Sequence, residues 1–394
     1  MASRVATIVT TRRGVREAER VAGRPTRLTV LLLIPVALLC VVGLGAILSA
    51  SSVLGLRESG DGLFYFKRQA VWLGLGVIAL VGAALVPLRW WRRMSFPLFA
   101  SSVVLLAATH VIGTRAYGSQ RWIFAGPISI QPSEIAKLTT ILFLATLVSR
   151  REYSMHRLRD FLAPVVGSVG IVAALVITQP DLGTTLLVVS GAFAVLFASA
   201  APFRFVLGSA VLSSGAALLA ARTSPYRWAR VTAFLDLSAD PLGSGYQATQ
   251  SLVALGTGGL FGVGLGASRA RWSFLPNAHT DFIFSIIGEE TGLAGSLAVL
   301  LLMVALTAAG GAIAYYAQDR FGRLLAIGIT TWLVAQALVN LGGVTGVLPI
   351  TGVPLPFVSF GGSALVTAMV AVGVLISVAR HRVPIDSDEE VVAW

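Results

Sequence analysis

Long apolar stretches, separated by short polar or turn-forming segments, make up most of this chain. A helix needs about 20 apolar residues to cross the hydrocarbon core of a bilayer. The pattern therefore predicts an all-α polytopic membrane protein with about ten transmembrane helices. The predicted spans are 28–50, 70–87, 95–113, 134–149, 161–178, 181–199, 204–221, 281–309, 324–346 and 360–380.

The composition agrees with a membrane protein. Of the 394 residues, 56% are hydrophobic and 12% are charged, roughly half the charged fraction of a soluble domain. With both termini cytoplasmic, most lysines and arginines fall in the inner segments, which is the positive-inside pattern. The formal net charge of +12 then reflects topology and attraction to anionic membrane lipids. No soluble basic domain is present to carry nucleic-acid binding, so no nucleic-acid partner is expected.

This topology divides the chain into three regions. Residues 1–27 form an Arg-rich cytoplasmic tail, residues 28–380 a membrane domain, and residues 381–394 an acidic cytoplasmic tail. The first apolar run is too long for a signal peptide. A large extracytoplasmic loop, residues 222–280, joins spans 7 and 8. Its aromatic content argues against disorder, and its part 245–256 has helical spacing.

Cysteine and histidine offer little chemistry. The single cysteine, Cys40, lies in the first span, so no intramolecular disulfide can form. The four histidines are scattered over both sides of the membrane, so no zinc site is expected.

Three predicted spans begin in the same way, with a proline followed by an acid: Glu134, Asp181 and Asp281. A carboxylate in the first turn offsets the positive end of the helix dipole, so capping is one interpretation. Three helix N-termini on one face also form a cluster that is open to anions. This second interpretation includes Gln179, which precedes Asp181 in the same segment.

Lys137 lies three residues after Glu134, so the two side chains share a helix face and are expected to form an ion pair. Two interpretations remain open for Lys137. The pair is either purely structural, or it holds a cation in a water-filled cavity for an anionic substrate.

Other cations are predicted near the outer surface. Lys67 and Arg68, followed by Gln69, lie at the outer mouth of the second span, against the positive-inside bias. Arg121 and Trp122 lie in an outer loop, where Trp122 alone would be an interfacial belt residue.

The segment "LPNAHTDFIFSIIGEETGLAG" carries three acids into an apolar span, which is costly. On a helix, Glu289 lies ~80° around and ~12 Å below Asp281, whereas Glu290 lies ~180° around. We therefore expect Glu289 to line the same cavity as Asp281 and Glu290 to pair with another helix. His279 and Thr280, just before Asp281, could position a substrate hydroxyl.

A further polar interruption contains Ser359 and Ser363 between several glycines and prolines. Non-helical backbone at membrane depth persists only where protein or a watery cavity satisfies it. The interruption fits a substrate cavity beside Asp281, and it would also suit a transporter gate.

Several long motifs resemble the SEDS family over nearly all of residues 28–380. Besides the segment around Asp281, they are "QRWIFAGPISIQPSEIAKL", "TQPDLGTTLL" and "PITGVPLPFVSFGGSAL", in the family's order. Residues 50–69 are more similar to its cell-division branch than to its elongation branch. The resemblance implies a ten-span glycosyltransferase that polymerises lipid II at the outer face of the bacterial plasma membrane, during cell division. It also implies a class B penicillin-binding protein as partner, with other division proteins.

In this resemblance Asp281 matches the family's essential aspartate. A second sensitive motif is matched by Arg121, Trp122, Glu134 and Lys137. A hydroxyl nucleophile needs a general base, and pyrophosphate is already a good leaving group, so one carboxylate and several cations suffice. We assign the base to Asp281 and expect Arg68, Lys67, Arg121 and Lys137 as pyrophosphate partners, in falling order of exposure.

A divalent cation, Mg²⁺ or Mn²⁺, could bridge the pyrophosphate with few protein ligands, but no motif demands one. The main rival function is a flippase for the lipid-linked substrate. A third is a non-catalytic scaffold that activates its partner transpeptidase.

Overall fold

A computed structural model of the chain describes residues 2–116, 119–125, 128–151, 162–199, 201–223, 225–236, 244–272 and 275–381. Side chains before Arg27 and at a few loop positions are outside this description. So are the acidic tail from residue 382 and most of the predicted inner loop 149–160.

The predicted all-α membrane fold is confirmed. Its helices are α1 (Ala2–Ser59), α2 (Phe64–Leu85), α3 (Leu88–Ile112), α4 (Pro132–Arg151), α5 (Gly167–Ile177), α6 (Leu182–Phe197), α7 (Phe203–Arg222), α8 (Pro225–Leu235), α9 (Ser244–Gly258), α10 (Ile283–Tyr316), α11 (Arg320–Val344) and α12 (Gly362–Arg380). A π-helical turn, Leu162–Val166, precedes α5, and a 3₁₀ turn spans Ala270–Trp272.

Eight of these helices are long and apolar enough to cross a membrane, within the part of the chain that the structure describes. Two shorter apolar helices, Pro164–Ile177 and Leu182–Phe197, occupy the positions of the predicted fifth and sixth spans. The count of ten spans stays a prediction, because these two fall short of the length for a full crossing.

A small sheet lies where only an outer loop was expected. Strands β1 (Thr114–Ala116), β2 (Ser119–Ala125) and β3 (Ile128–Ile130) pair antiparallel in the order β1-β2-β3. Thr114 lies opposite Trp122, and Ile123 opposite Ile130. β-Branched and aromatic residues favour this conformation. The sheet connects α3 to α4.

Glycines allow the central helices to approach closely. α2 packs along α12, where a Cβ atom at Gly76 would lie 3.0 Å from the side chain of Met369. A Cβ atom at Gly43 of α1 would lie 2.7 Å from the backbone of Val358. The backbone between α11 and α12 therefore runs against α1, inside the bundle. The predicted break in this region is present, because residues 345–361 form no regular helix.

α10 is interrupted near its outer third. Gly292 has φ 66° and ψ −159°, which divides the element into two helical parts. The break leaves the carbonyl groups of Glu289 and Glu290 without hydrogen-bond donors inside the helix. The preceding loop supplies donors instead, since Val263 N donates to Glu289 O (2.9 Å) and Gly264 N to Glu290 O (3.1 Å). The Gly-rich part of the 222–280 loop therefore lies directly against α10.

Candidate active site

Asp281 lies immediately before α10, at the centre of the site. The N-cap of α10 is Phe282, and no side chain caps the helix. The amide of Asp281 donates to Asn277 O (3.1 Å), and its carbonyl accepts from Asn340 Nδ2 (2.8 Å). The backbone of Asp281 is thus held from both directions. Its carboxylate is not used as a helix cap.

Asp181 has the capping role that Asp281 lacks. Its Oδ1 accepts from Thr184 N (3.0 Å), so Asp181 is the N-cap of α6. Glu134 lies in the first turn of α4 and pairs with Lys137. Of the three acids predicted at helix starts, the capping interpretation therefore holds for Asp181 and fails for Asp281.

Arg230 of α8 lies in the neighbourhood of the Asp281 carboxylate. Its Nη1 donates to Ile350 O (3.2 Å). Both this nitrogen and Asp281 Oδ2 lie 3.6 Å from the point where a Cβ atom of Gly352 would stand. The guanidinium and the carboxylate are therefore separated by no more than twice that distance. Arg230 is a site residue that the sequence reasoning missed.

The space around Asp281 is small. It is a cavity of about 10 Å³, lined by Asp281, Asn340 and the backbone segment 350–353, which is room for about one water molecule. Burial raises the pKa of Asp281 to about 6, while the positive charges of Arg230 and Arg121 oppose this rise. The negative charge of Asp181 adds to it. A carboxyl in this range can exchange a proton near neutral pH.

Arg121, on β2, ties the sheet to the start of α6. Its Nε donates to Gln179 O (3.0 Å), its Nη2 donates to Pro180 O, and its Nη1 lies 3.6 Å from Asp181 Oδ2. The Gln179 side chain is buried and donates to Leu106 O (3.1 Å). The charges of Arg121 and Asp181 act on Asp281, so this cluster belongs to its surroundings.

Lys137 is fully buried in a polar network between α4 and α11. Its ammonium donates to Glu134 Oε1 (2.8 Å) and to Gln336 Oε1 (2.9 Å), and lies 5.0 Å from the ring centroid of Trp332. The expected ion pair is present. The side chain has no exposed surface, which contradicts the alternative of a cation facing a water-filled cavity.

This network leads to Asp281. Gln336 Nε2 donates to Pro354 O (2.9 Å), and Asn340 Nδ2 donates both to Val353 O and to Asp281 O (2.8 Å each). Gln336 and Asn340 are four residues apart on one face of α11. Lys137 therefore supports the segment 353–354, and through it the position of Asp281.

Gln69 and the two predicted serines fasten the segment before α12. Gln69 Nε2 donates to Ser359 O (3.3 Å), and its Oε1 accepts from Gly361 N (3.3 Å). Ser359 Oγ accepts from Leu355 N (2.8 Å). Ser363 Oγ donates to Ser129 O (2.9 Å). All three predicted residues hold backbone in place.

His279 and Thr280 lie next to Asp281, and a hydrogen bond from the Thr280 side chain lowers the pKa of Asp281. The His279 ring packs against Tyr65 (4.9 Å between centroids) and Phe360 (5.6 Å). Burial lowers the pKa of His279 to about 4, so the ring is neutral at physiological pH. Thr280 Oγ1 donates to Asn277 O (3.1 Å).

Lys67 and Arg68 lie in the first turn of α2. Lys67 pairs with Asp61 in the preceding turn (2.8 Å) and its side chain is 63% exposed, whereas Arg68 is half-buried. The predicted order of exposure between these two is therefore reversed. Trp122 is half-buried on β2.

Glu289 does not line the cavity of Asp281, contrary to the sequence prediction. Its carboxylate accepts from Ser268 Oγ (2.5 Å), Arg269 N (3.0 Å) and Ala270 N (3.3 Å), and so caps the 3₁₀ turn of the loop. The helical angle does not apply, because Asp281 lies before the first residue of α10, and the loop covers the face that carries Glu289. Glu290 accepts from Ser49 Oγ of α1, as expected for pairing with another helix.

The residues that the sequence reasoning missed are Arg230, Gln336 and Asn340. The two amides carried a usable signal, because hydrogen-bonding side chains at i and i+4 in an apolar span mark an interhelical polar face. Arg230 carried none, since the loop around it contains several arginines.

The fold and the site define a polytopic membrane protein with a half-buried carboxylate and two nearby guanidinium groups next to a broken helix. The family model that matches is that of the cell cycle proteins FtsW, RodA and SpoVE, over residues 29–383. The chain belongs to this family.

Curated relatives match over almost their whole length. The chain is 38% identical to a probable peptidoglycan glycosyltransferase FtsW of Geobacter metallireducens, covering 89% of this chain and 94% of the relative. It is 41% identical to stage V sporulation protein E of Bacillus subtilis, covering 89% and 96%.

Solved structures give the same fold. One is a chain of a peptidoglycan synthase complex that coordinates polymerization and crosslinking (TM-score 0.74, 31% identity, 89% of this chain and 96% of that chain). Another is the rod shape determining protein RodA of Thermus thermophilus (TM-score 0.67, 29% identity, 89% and 95%).

Proposed function

We propose that this protein is a peptidoglycan glycosyltransferase that polymerises lipid II into β1,4-linked glycan during cell division. Relatives that match along nearly their whole length carry this activity in their names. The observation that carries the assignment is Asp281, a half-buried carboxylate that does not cap a helix and on which the charges of two guanidinium groups act.

Asp281 acts as the general base. It takes the proton from the C4 hydroxyl of the acceptor sugar as this oxygen attacks C1 of the donor. The C1–O bond to undecaprenyl pyrophosphate breaks with its electron pair, and the configuration at C1 inverts. Such a base contributes roughly 10²–10⁴-fold to the rate.

Arg121 and Arg230 stabilise the pyrophosphate as negative charge develops on it. They are the cations whose charges act on Asp281, and a guanidinium can bind phosphate oxygens in a bidentate way. Lys67 and Arg68 guide the anionic head group from the more exposed end of α2. Lys137 positions the site rather than binding substrate, because it is fully buried.

The cavity beside Asp281 is far too small for a disaccharide. Substrate entry therefore requires the segment 350–353 or helix α8 to move away from Asp281. Arg230 joins these two elements through its hydrogen bond to Ile350 O.

A divalent cation would be bound mainly by the pyrophosphate of the substrate. Among the described residues no group of three or more His, Cys, Asp or Glu could hold a metal ion. A Mg²⁺ or Mn²⁺ ion would therefore take few ligands from this chain.

The protein works in the plasma membrane at the division site, with both termini cytoplasmic and Asp281 at the outer face. Its partner is a class B penicillin-binding protein that crosslinks the nascent glycan. The similarity to a chain of a polymerizing and crosslinking synthase complex supports this pairing.

The test is polymerisation of purified lipid II in proteoliposomes, with and without the cognate transpeptidase. Wild type should make long glycan and Asp281→Asn should lose at least 100-fold. Asp319→Asn is the matched control, because Asp319 caps α11 and asparagine caps equally well. A folded Asp281→Asn protein that makes full-length glycan would show that Asp281 is not the general base. If the wild-type protein moves lipid II across the bilayer and makes no glycan polymer, the result would favour the flippase function.

A further inference from the structure

The loop 259–265, between α9 and the 3₁₀ turn, exposes large apolar side chains. Leu260 is 66% exposed, Phe261 84% and Leu265 83%. In water such a cluster would be costly, since each buried side chain of this size is worth about 1.5–3 kcal/mol.

This loop is a fixed element of the fold. Besides the two bonds to the carbonyls of Glu289 and Glu290, Leu293 N donates to Gly259 O (2.9 Å) and Ala294 N to Leu260 O (3.2 Å). A Cβ atom at Gly262 would overlap the backbone of Glu290. Four backbone hydrogen bonds therefore hold the apolar side chains at the break in α10.

The helices place this break at one surface of the bilayer. Ser49, which bonds Glu290, lies about 33 Å along α1 from Arg27 at 1.5 Å per residue. Leu293 lies about 35 Å along α10 from Tyr316, an exposed residue at the other end. Both lengths match a hydrocarbon core of about 30 Å, so the loop lies where this core ends.

The loop continues a lipid-facing surface. Past the break, α10 exposes Leu297 (46%), Leu301 (67%) and Val304 (64%), and a membrane-spanning helix turns such residues to the hydrocarbon. Leu260 adjoins this surface, because its carbonyl bonds Ala294.

Residues that follow the loop suit the head-group region. Arg269 is exposed and Trp272 is 51% exposed. Tryptophan and arginine are typical of membrane interfaces, where arginine can pair with lipid phosphates.

We propose that the loop 259–265 inserts into the outer leaflet and binds the acyl chains of bilayer phospholipids through Leu260, Phe261 and Leu265. It anchors the chain leading to Asp281 at a fixed height relative to the lipid surface, since the next residues, 268–270, are clamped by Glu289. The inference does not depend on the proposed catalytic role.

The test uses nitroxide labels on the full chain in a Cys40→Ser background, which removes the single cysteine. Labels at Phe261→Cys and Leu265→Cys are compared with Leu301→Cys, facing lipid, and Gln318→Cys, in the exposed α10–α11 turn. Each variant is placed, one copy per disc, in phosphatidylglycerol and phosphatidylethanolamine nanodiscs, and its folding is checked by thermal unfolding. Power saturation then measures access of oxygen, which enters lipid, and of a nickel chelate, which stays in water.

Labels at 261 and 265 should favour oxygen over nickel, as at 301, while 318 shows the reverse. The inference is overturned if 261 and 265 behave like 318, or if neither reagent reaches them, which would mean that protein covers the loop. It is also overturned if lipid-like access appears only after undecaprenyl pyrophosphate is added, because the occupant would then be the substrate's chain.

Discussion

Arg230 Nη1 and Asp281 Oδ2 both lie 3.6 Å from the point that a Cβ atom of Gly352 would occupy. Three segments distant in sequence, the loop helix α8, the start of α10 and the break before α12, thus meet around one carboxylate. The chemistry of the site depends on how these three are held together.

The pH profile should report the protonation of Asp281. Burial raises its pKa to about 6, and a general base works only when deprotonated, so kcat/KM for polymerisation should fall as pH drops through about 6. A profile that is flat between pH 5 and 7.5, in a protein that remains folded, would contradict this role.

Neighbouring charges should move this profile in opposite directions. Arg230→Gln and Arg121→Gln each remove a cation that favours the carboxylate, so the apparent pKa should rise. Asp181→Asn removes a negative charge and keeps a residue able to cap α6, so the apparent pKa should fall. Measuring kcat/KM against pH for the three variants tests the signs. Arg320→Gln, outside the site, should leave the pKa unchanged.

Gly352→Ala should impair activity more than stability. Gly352 has φ 75°, so a side chain costs about 1–2 kcal/mol, and its methyl group would fill the small space beside Asp281. Gly346→Ala is the matched control, with φ 70° and only Leu252 near its Cβ position. Similar losses of thermal stability are expected, with about tenfold lower polymerisation for Gly352→Ala alone. Equal activities would place the methyl group outside the reaction space.

The Glu134–Lys137 pair should behave as a buried structural unit. Glu134→Gln or Lys137→Met alone leaves a buried charge unpaired and should cost about 3–5 kcal/mol. The double variant should recover part of this loss. Thermal unfolding in detergent, analysed as a double-mutant cycle, measures the coupling. Additive losses would mean that the two charges are screened from each other.

Alanine variants of Gly262 and Gly264 should distinguish the effect of the close contact with α10 from the effect of backbone strain. Both have positive φ (82° and 104°), but only Gly262 has the α10 backbone within reach of a Cβ atom. Gly262→Ala should expose residues 259–265 to hydrogen exchange and lower the unfolding temperature, whereas Gly264→Ala should do so much less. Equal effects would assign the loss to strain alone.

Much of the fold was predictable because apolar length is a local property. The predicted spans and observed helices differ mainly at their ends, as with 204–221 and Phe203–Arg222. The helix predicted at 245–256 is Ser244–Gly258. The sheet at 114–130 was missed, since its strands depend on pairing rather than on hydropathy.

The site was predictable only in part. Asp281 and Asp181 follow from motifs at helix starts, and Arg121 follows from the family motif in the preceding outer loop. The placement of Glu289 was wrong because the loop that covers it returns to α10 through backbone bonds, which leave little trace in side-chain pattern. The position of Arg230 near Asp281 also depends on the long-range folding of this loop, which the sequence pattern does not show.

The break at Gly292 also has a consequence for biosynthesis. The part of α10 that crosses the bilayer, residues 293–316, contains no charged residue, so the translocon meets an uncharged, mostly apolar segment. Glu289 and Glu290 precede it and add none of the roughly 2.5–3.5 kcal/mol insertion penalty of a central acid. Membrane integration of α10 can therefore be completed before either carboxylate finds its partner, and the ordering of the loop becomes a later, separate step.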